Sequence, residues 1–514
     1  MRTRIRRPMT TREQQVVIGM GRLDLKSTSS FRLVAMPTAT HDATARTASL
    51  RDRAHLPFAV GAVALVTLGA FENRATMTVL PTVARELDGL WLFGAASAAP
   101  LVSFVLATVI AGAWADHRGP VRPLQAGMAV FVVSQVLMAL APGMVLFTLG
   151  RFGSGIAEAL MDVSLTVLLA RALPKELRAK VFAAFAAAWV LPSLVGPPVA
   201  GLLTEVVSWR AVFAVGVALL PLAWLLLRPS MRTAGVPAAT GTASPGTRSA
   251  GSEPASTAWS PREHRAVRAA AVAAAGLAAL TAGGSLLGRS GPVELLGAAL
   301  VLVGVACTGP AIRTVLPAGT LRFAHGIPAL VALRGLVAAA FGTAGSLLPL
   351  MLTTIHGLGP AAAGISLTVT GLCWAAGSQV HGLDAVQRRV SPVRRLQIGF
   401  GLIAVGVLGP ALTSLQSLPV AAGLALWGLA GLGMGVVSPT LSTQLLRFAP
   451  VHDQGRITAA SSLTASVAQA VGLAVAGSLI AWQAPDLPGW LFASTMAGCA
   501  AVGVVGFVAA RRAG

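Results

Sequence analysis

The chain has 514 residues, of which 55% are hydrophobic and only 11% charged. A soluble domain carries about 25% charge, so lipid must cover much of this surface. The net charge of +21 is spread between apolar runs, with no single basic face and no nucleic-acid motif beside it, which excludes a nucleic-acid binder.

Residues 1–54 are polar and Arg-rich, without an apolar core of signal-peptide length. They read as a cytosolic tail, or as an extension from a start codon placed too early, with Met9, Met20 and Met36 as alternative starts. Apolar runs long enough to cross about 30 Å of hydrocarbon follow near 57–81, 91–115, 122–142, 146–171, 179–203 and 208–228. Backbone polar groups in lipid must be satisfied within the element, so these runs are predicted helices. Residues 229–262 are rich in Pro, Ser, Thr, Gly and Ala and read as a flexible linker. Further helices are predicted near 265–288, 292–310, 326–352, 360–382, 394–414, 418–447, 456–482 and 489–510, giving fourteen in all. The pair at 265–310 carries the weakest helix signal, being rich in Ala and Gly.

Lys and Arg placement orients the bundle. With the N-terminus in the cytosol, the inside loops hold Arg118, Arg122, Lys175, Arg178, Lys180, Arg228, Arg265, Arg313, Arg388, Arg389, Arg394, Arg447 and others. The outside loops hold only Arg85, Arg210 and Arg289. A miscount by one helix would invert this asymmetry partway, so both termini are expected in the cytosol. Cys307, Cys373 and Cys499 lie within apolar runs without metal-ligand spacing and read as packing residues.

Two stretches of the chain match. Pro120-Val-Arg-Pro-Leu-Gln-Ala-Gly127 recurs as Pro392-Val-Arg-Arg-Leu-Gln-Ile-Gly399, and Val79-Leu-Pro81 as Leu347-Leu-Pro349. Gly155, Arg171, Pro174, Gly196 and Gly201 find partners at one constant offset in Gly431, Arg447, Pro450, Gly472 and Gly477. The expected organisation is a six-helix half at 55–228, two additional helices at 263–310, and a second six-helix half at 326–514. Duplicated halves with a site between them are a common transporter construction.

The loop after the second helix reads Gly112-Ala-Trp-Ala-Asp116-His-Arg118-Gly119-Pro-Val-Arg122. It resembles the G-x-L-A-D-R-x-G-R signature of the major facilitator superfamily. Asp116 there can accept hydrogen bonds from helix N-termini or arginines and hold one conformation shut. The second-half equivalent, Gly377-Ser-Gln-Val-His381-Gly382, lacks the acid. Leu149-Gly-Arg151-Phe-Gly-Ser-Gly155 is similar to the family's R-x-x-Q-G pattern, with Ser154 for Gln. Gly196-Pro197-Pro-Val-Ala-Gly201 resembles the G-P-x-x-G-G motif of exporters in the family, with Ala200 for one Gly. Phe71-Glu72-Asn-Arg74-Ala-Thr-Met-Thr-Val-Leu-Pro81 resembles the L-D-x-T-x-V-N-V-A-L-P segment of the drug:proton antiporter branch, from which Arg74 departs. The resemblance implies an all-α polytopic membrane protein of the major facilitator fold, with fourteen helices.

Charged residues at mid-bilayer cost about 2.5–3.5 kcal/mol on insertion scales, so they mark function. Glu72, Arg74, Arg151, Glu158, Asp162 and Arg334 fall at such positions. Arg151, Glu158 and Asp162 are spaced by seven and four and share one helix face. In the family, helices 1 and 4 line a central cavity, so the resemblance implies that Glu72, Arg74, Arg151 and Glu158 form one polar cluster. Glu72 is expected to be the main proton-coupling acid, Glu158 or Asp162 a second, and Arg151 the residue that tunes them. Arg334 either lines the cavity or snorkels to the cytosolic surface. Phe71, Phe185, Trp189, Phe341 and Trp374, with Gln379 near the last, are candidates for the cavity wall.

The function expected is proton-driven efflux of small hydrophobic or cationic compounds across the cytoplasmic membrane, by a monomer whose partners are its substrate and the lipid. The alternative is uptake or export of a specific metabolite. No cofactor or metal is expected beyond the proton gradient. The histidines fall at helix ends and loops, and no nucleotide-binding loop is present, which argues against an enzyme or an ATP-driven pump.

Overall fold

The computed structural model describes residues 56–172, 181, 184–185, 187–234, 261–450 and 453–513. The expected tail 1–54 and most of the linker 229–262 lie outside the described residues.

Helices dominate. The first half runs α1 (Leu56–Glu86), α2 (Phe93–Arg118), α3 (Val121–Ala139), α4 (Met144–Ala172), α5 (Val190–Val206) and α6 (Trp209–Ala234). Two helices follow, α7 (Pro261–Leu286) and α8 (Pro292–Val315). The second half begins with α9 (Ile327–Ile355), which contains a π-helical turn at Ala338–Gly342. It continues through α10 (Pro360–Gly382), α11 (Pro392–Ser414), α12 (Val420–Phe448), α13 (Gln454–Gln483) and α14 (Gly489–Ala509). Thirteen described helices are long and apolar enough to cross a membrane. The fifth, Val190–Val206, is shorter, and five residues of the run expected at 179–203 lie outside the described residues. α6 continues to Ala234, past its expected end and into the expected linker.

The internal repeat reappears as packing. α4 contacts α2 and α3, and α12 contacts α10 and α11 in the same way. The pairs α1·α5, α1·α6 and α3·α6 recur as α9·α13, α9·α14 and α11·α14. The repeated glycines sit where helices touch. A Cβ on Gly155 would collide with the backbone of Pro100, and one on Gly431 with that of Thr370. Gly127 and Gly399 hold α3 against α4 and α11 against α12 in the same manner.

The halves meet along two seams, α5 with α10 and α2 with α13. Both are tightest at the end where α1 finishes, here called the far end. A Cβ on Gly201 would fall on the Cα of Ala361, and one on Gly94 on the Cα of Gly477. Arg85 adds hydrogen bonds to the hydroxyls of Thr353 at 2.9 Å and Thr354 at 2.7 Å. Glu205 accepts from the backbone N–H of Ala361 at 3.0 Å. The apolar cores follow this geometry. One cluster joins both halves through Val79, Val83, Phe93, Trp209, Leu347 and Leu348. A separate cluster around Phe58, Leu65, Leu124, Leu168 and Leu227 belongs to the first half alone. The inserted helix α7 packs against both α2 and α13, and the three share a cluster that includes Val102, Leu277 and Leu473.

Candidate functional site

Between the halves lies a cavity of about 310 Å³, within the range of small-molecule sites. Both halves supply its wall. Arg74 comes from α1, Arg151 and Glu158 from α4, Arg334 and Phe341 from α9, Trp374 from α10 and Trp427 from α12.

The polar side is organised by one ion pair. Arg151 Nη1 donates to Glu72 Oε1 at 2.7 Å, with side chains only 4% and 11% exposed. Thr76, one turn along α1, donates to the same carboxylate oxygen at 3.3 Å. Arg74 stands two residues from Glu72, on another face of α1. It makes no ion pair or side-chain hydrogen bond among the described residues, and its Nε is buried without a protein acceptor. Gly196 of α5 packs beside it, where a Cβ would stand in ordinary contact 3.6 Å from the Arg74 Cβ and 3.6 Å from the Phe71 ring. Arg334 points into the bundle and donates to the Ser438 hydroxyl at 3.0 Å.

Glu158 lies two turns from Arg151 on α4 and makes no ion pair among the described residues. It lines the central cavity and also a smaller one of about 160 Å³ between α1 and α4. Asp162, a further turn along, is exposed and lines only the smaller cavity, together with Trp189. The two carboxylates share a helix face and the smaller cavity, and only Glu158 also reaches the central one.

The apolar side is an aromatic cluster. Phe341 stacks on Trp427 with centroids 5.3 Å apart and planes 12° apart, and meets Trp374 edge-on at 6.0 Å. Phe341 belongs to the π-turn of α9, and such turns are frequent at functional sites. Trp427, only 1% exposed, escaped sequence reasoning, as did Ser97 and Gln469. Nothing but a tryptophan in mid-helix signalled it. Gln379 is exposed and lines neither cavity. Phe71 is half-buried and packs against the core. Phe185 lies in the partly described stretch before α5 and packs beside the first-half cluster.

The loop residues Asp116, Arg118 and Arg122 are exposed and form no ion pair among the described residues. A Cβ on Gly112 would meet nothing within 4 Å, and Gly119 turns the chain at φ +77°. The Gly196–Gly201 segment lies on the α5–α10 seam. There the Pro197 carbonyl abuts Gly364, and Gly201 abuts Ala361.

A probable multidrug-efflux transporter of Mycobacterium tuberculosis is 29% identical over 176 residues, covering 34% of this chain and 37% of its own length. The methylenomycin A resistance protein of Bacillus subtilis is 32% identical over 118 residues, covering 23% of this chain and 25% of its own. The chain therefore aligns with about a third or less of these relatives' length. Among solved structures, a peptide transporter POT in complex with alafosfalin superimposes with a TM-score of 0.64 at 14% identity, covering 89% of this chain and 94% of that one. The human organic anion transporter MFSD10 gives 0.53 at 16% identity, with 88% and 99% covered. Both show the fold alone. Residues 62–473 match the model of the Major Facilitator Superfamily. Two six-helix halves closing on a cavity between them, and a family match across most of the sequence, make one conclusion: this chain belongs to the Major Facilitator Superfamily, a family of multi-pass membrane transporters.

Proposed function

We propose that the protein is a proton-coupled antiporter that exports small, largely apolar compounds across the cell membrane. It acts as a monomer, with both termini in the cytosol and the far end facing outside. The observation that carries the reading is the neighbourhood of Arg151: a buried guanidinium paired with Glu72, with a second carboxylate, Glu158, unpaired on the same cavity wall. A proton on Glu72 would release Arg151, which could then turn to Glu158. The pair thus has two arrangements that differ by one proton, as a coupling site requires. The drug-efflux relatives support the direction of transport.

In the cycle, the structure described here corresponds to the state closed outside by the Gly94–Gly477 and Gly201–Ala361 seams. Cargo enters from the cytosol, the seams part, and protonation of the membrane acids from outside accompanies release. The acids favour a cationic cargo, whereas Arg74 and Arg334 on the same walls oppose one.

Purified protein in liposomes with an imposed pH gradient tests the mechanism. Dye flux should follow the gradient and run opposite to the protons. Glu72→Gln should abolish the gradient-driven component while leaving expression intact. Flux that ignores the gradient, or full activity in Glu72→Gln, would overturn antiport, and flux in the direction of the protons would identify an uptake symporter.

A further inference from the structure

We infer that the central cavity is shaped for an aromatic amphiphile carrying a single anionic group, held between Arg74 of the first half and Arg334 of the second. The inference rests on the transport reading above and supplies its substrate class.

Charge is the first argument. Three guanidiniums belong to the cavity, those of Arg74, Arg151 and Arg334. Two carboxylates oppose them, Glu158 on the wall and Glu72 behind it, and Glu72 is committed to Arg151. With both acids ionised, one positive charge stays uncompensated; with Glu158 protonated, two do. Asp162, one turn beyond Glu158, lines the smaller cavity and not the central one. A cation entering here would find one free carboxylate among three guanidiniums.

Hydrogen-bonding capacity is the second argument, and it is independent of net charge. Arg74 Nε, Arg151 Nε and Trp427 Nε1 are buried with no acceptor in the protein. All three residues line the cavity. Guanidinium and indole nitrogens only donate, and a buried donor left unpaired is costly. The side chains on this wall therefore bring donors in excess of acceptors, and Ser97 Oγ, also buried and unpaired there, can act as either. Carboxylate, sulfonate and phosphate groups offer the most acceptors, and arginine binds them through paired N–H groups.

The aromatic cluster supplies the rest of the class. Phe341, Trp427 and Trp374 form a continuous apolar cluster on the second-half wall of the same cavity. Such a face accepts a planar ring in stacked or edge-on geometry. A cavity of about 310 Å³ suits a molecule of two or three rings with one charged group. Arg74 and Arg334 come from different halves, so a bound anion would link the two bodies that must move.

The test uses full-length protein in lipid nanodiscs, with empty discs as background, and three fluorescent or radiolabelled probes. Anilinonaphthalene sulfonate carries one anionic group. Phenylnaphthylamine has the same rings without it, and tetraphenylphosphonium is an aromatic cation. The sulfonate should bind at least about tenfold more tightly than the phosphonium. Arg74→Gln and Arg334→Gln should each weaken the sulfonate about tenfold and change phenylnaphthylamine by less than about threefold. Arg74→Lys and Arg334→Lys keep the charge but not the paired N–H groups, and should bind the sulfonate more tightly than the matching Gln variants. Tighter binding of the phosphonium, or sulfonate affinity unchanged in the Gln variants, overturns the inference. Should a Gln variant lose all three probes, the Lys variant decides: retained sulfonate binding supports the assignment and lost binding overturns it. Transport separates this from the mechanism. Gradient-driven dye flux with a phosphonium-preferring cavity removes the inference and leaves antiport standing. Gradient-independent flux with a sulfonate-preferring cavity does the reverse.

Discussion

Arg151 and Glu72 compensate each other inside the protein, and the size of that dependence can be worked out. At their 2.7 Å separation and an effective dielectric of about 20, the attraction is about 6 kcal/mol, much of it offset by the desolvation of both ions. Removing one partner leaves the other's desolvation unopposed. Glu72→Leu strands a guanidinium whose side chain is 4% exposed and should cost about 3–5 kcal/mol. Glu72→Gln keeps an acceptor oxygen for Arg151 and should cost about 1–3 kcal/mol. Arg151→Leu should cost less than Glu72→Leu, because a stranded carboxyl can take a proton and a stranded guanidinium cannot. The double variant Glu72→Leu/Arg151→Leu removes both ions and should return to wild-type stability or exceed it. Thermal unfolding in detergent, followed by tryptophan emission at fixed pH, gives the order directly. A double variant as unstable as the sum of its singles, with coupling below about 0.5 kcal/mol, would show that the pair does not tie α1 to α4.

Other outcomes follow from the seams and the aromatic wall. Gly201→Leu places a side chain on the Ala361 backbone, so the far end cannot close. A Thr354→Cys reporter should then react with a membrane-impermeant maleimide at least about fivefold faster, and an unchanged rate would count against the seam as a gate. In that Thr354→Cys background, Arg85→Ala removes the remaining hydrogen bond, to the Thr353 hydroxyl at 2.9 Å. A gain of up to about tenfold in the same labelling is expected; no gain would make Arg85 a bystander. Trp427→Ala empties a site whose side chain is buried to 1% and should cost about 3–5 kcal/mol. Trp427→Phe keeps a ring for Phe341 to stack on and should cost less, and equal melting losses in the two variants would argue against the stack.

Much of the architecture was readable in advance because membrane physics is strict. Each span needs a run of apolar residues and an end rich in Gly, Pro or Arg, so α10 was expected at 360–382 and is found at Pro360–Gly382. Gly127, Gly155 and Gly201 were readable for a different reason. Helices that touch along their backbones exclude a Cβ, and the second half needs the same contacts at Gly399, Gly431 and Gly477. The Glu72–Arg151 pairing could be anticipated only because the family resemblance places helices 1 and 4 around one cavity. Spacing alone misled in one respect. Glu158 and Asp162 share a face by the four-residue rule, yet that face crosses the boundary between two cavities. The π-turn at Ala338–Gly342 was invisible, since five small or aromatic residues continue an α-helix equally well in sequence. It shifts Phe341 against Trp427, a contact that no local pattern encodes.

The inserted helix α7 touches α2 on one side and α13 on the other. Any rocking that parts these two must shear one face of α7 or the other, so α7 acts as a strap across that flank. It is fastened by close contacts: Gly284 lies against the Ser478 side chain, and the Arg289 guanidinium sits 4.3 Å over the Trp91 ring. The opposite flank, along α5 and α10, has no such strap among the described residues. The bundle is therefore mechanically lopsided, hinged like a book with one stitched edge. Its wider mouth, and the way in for anything dissolved in the bilayer, should lie on the α5–α10 side.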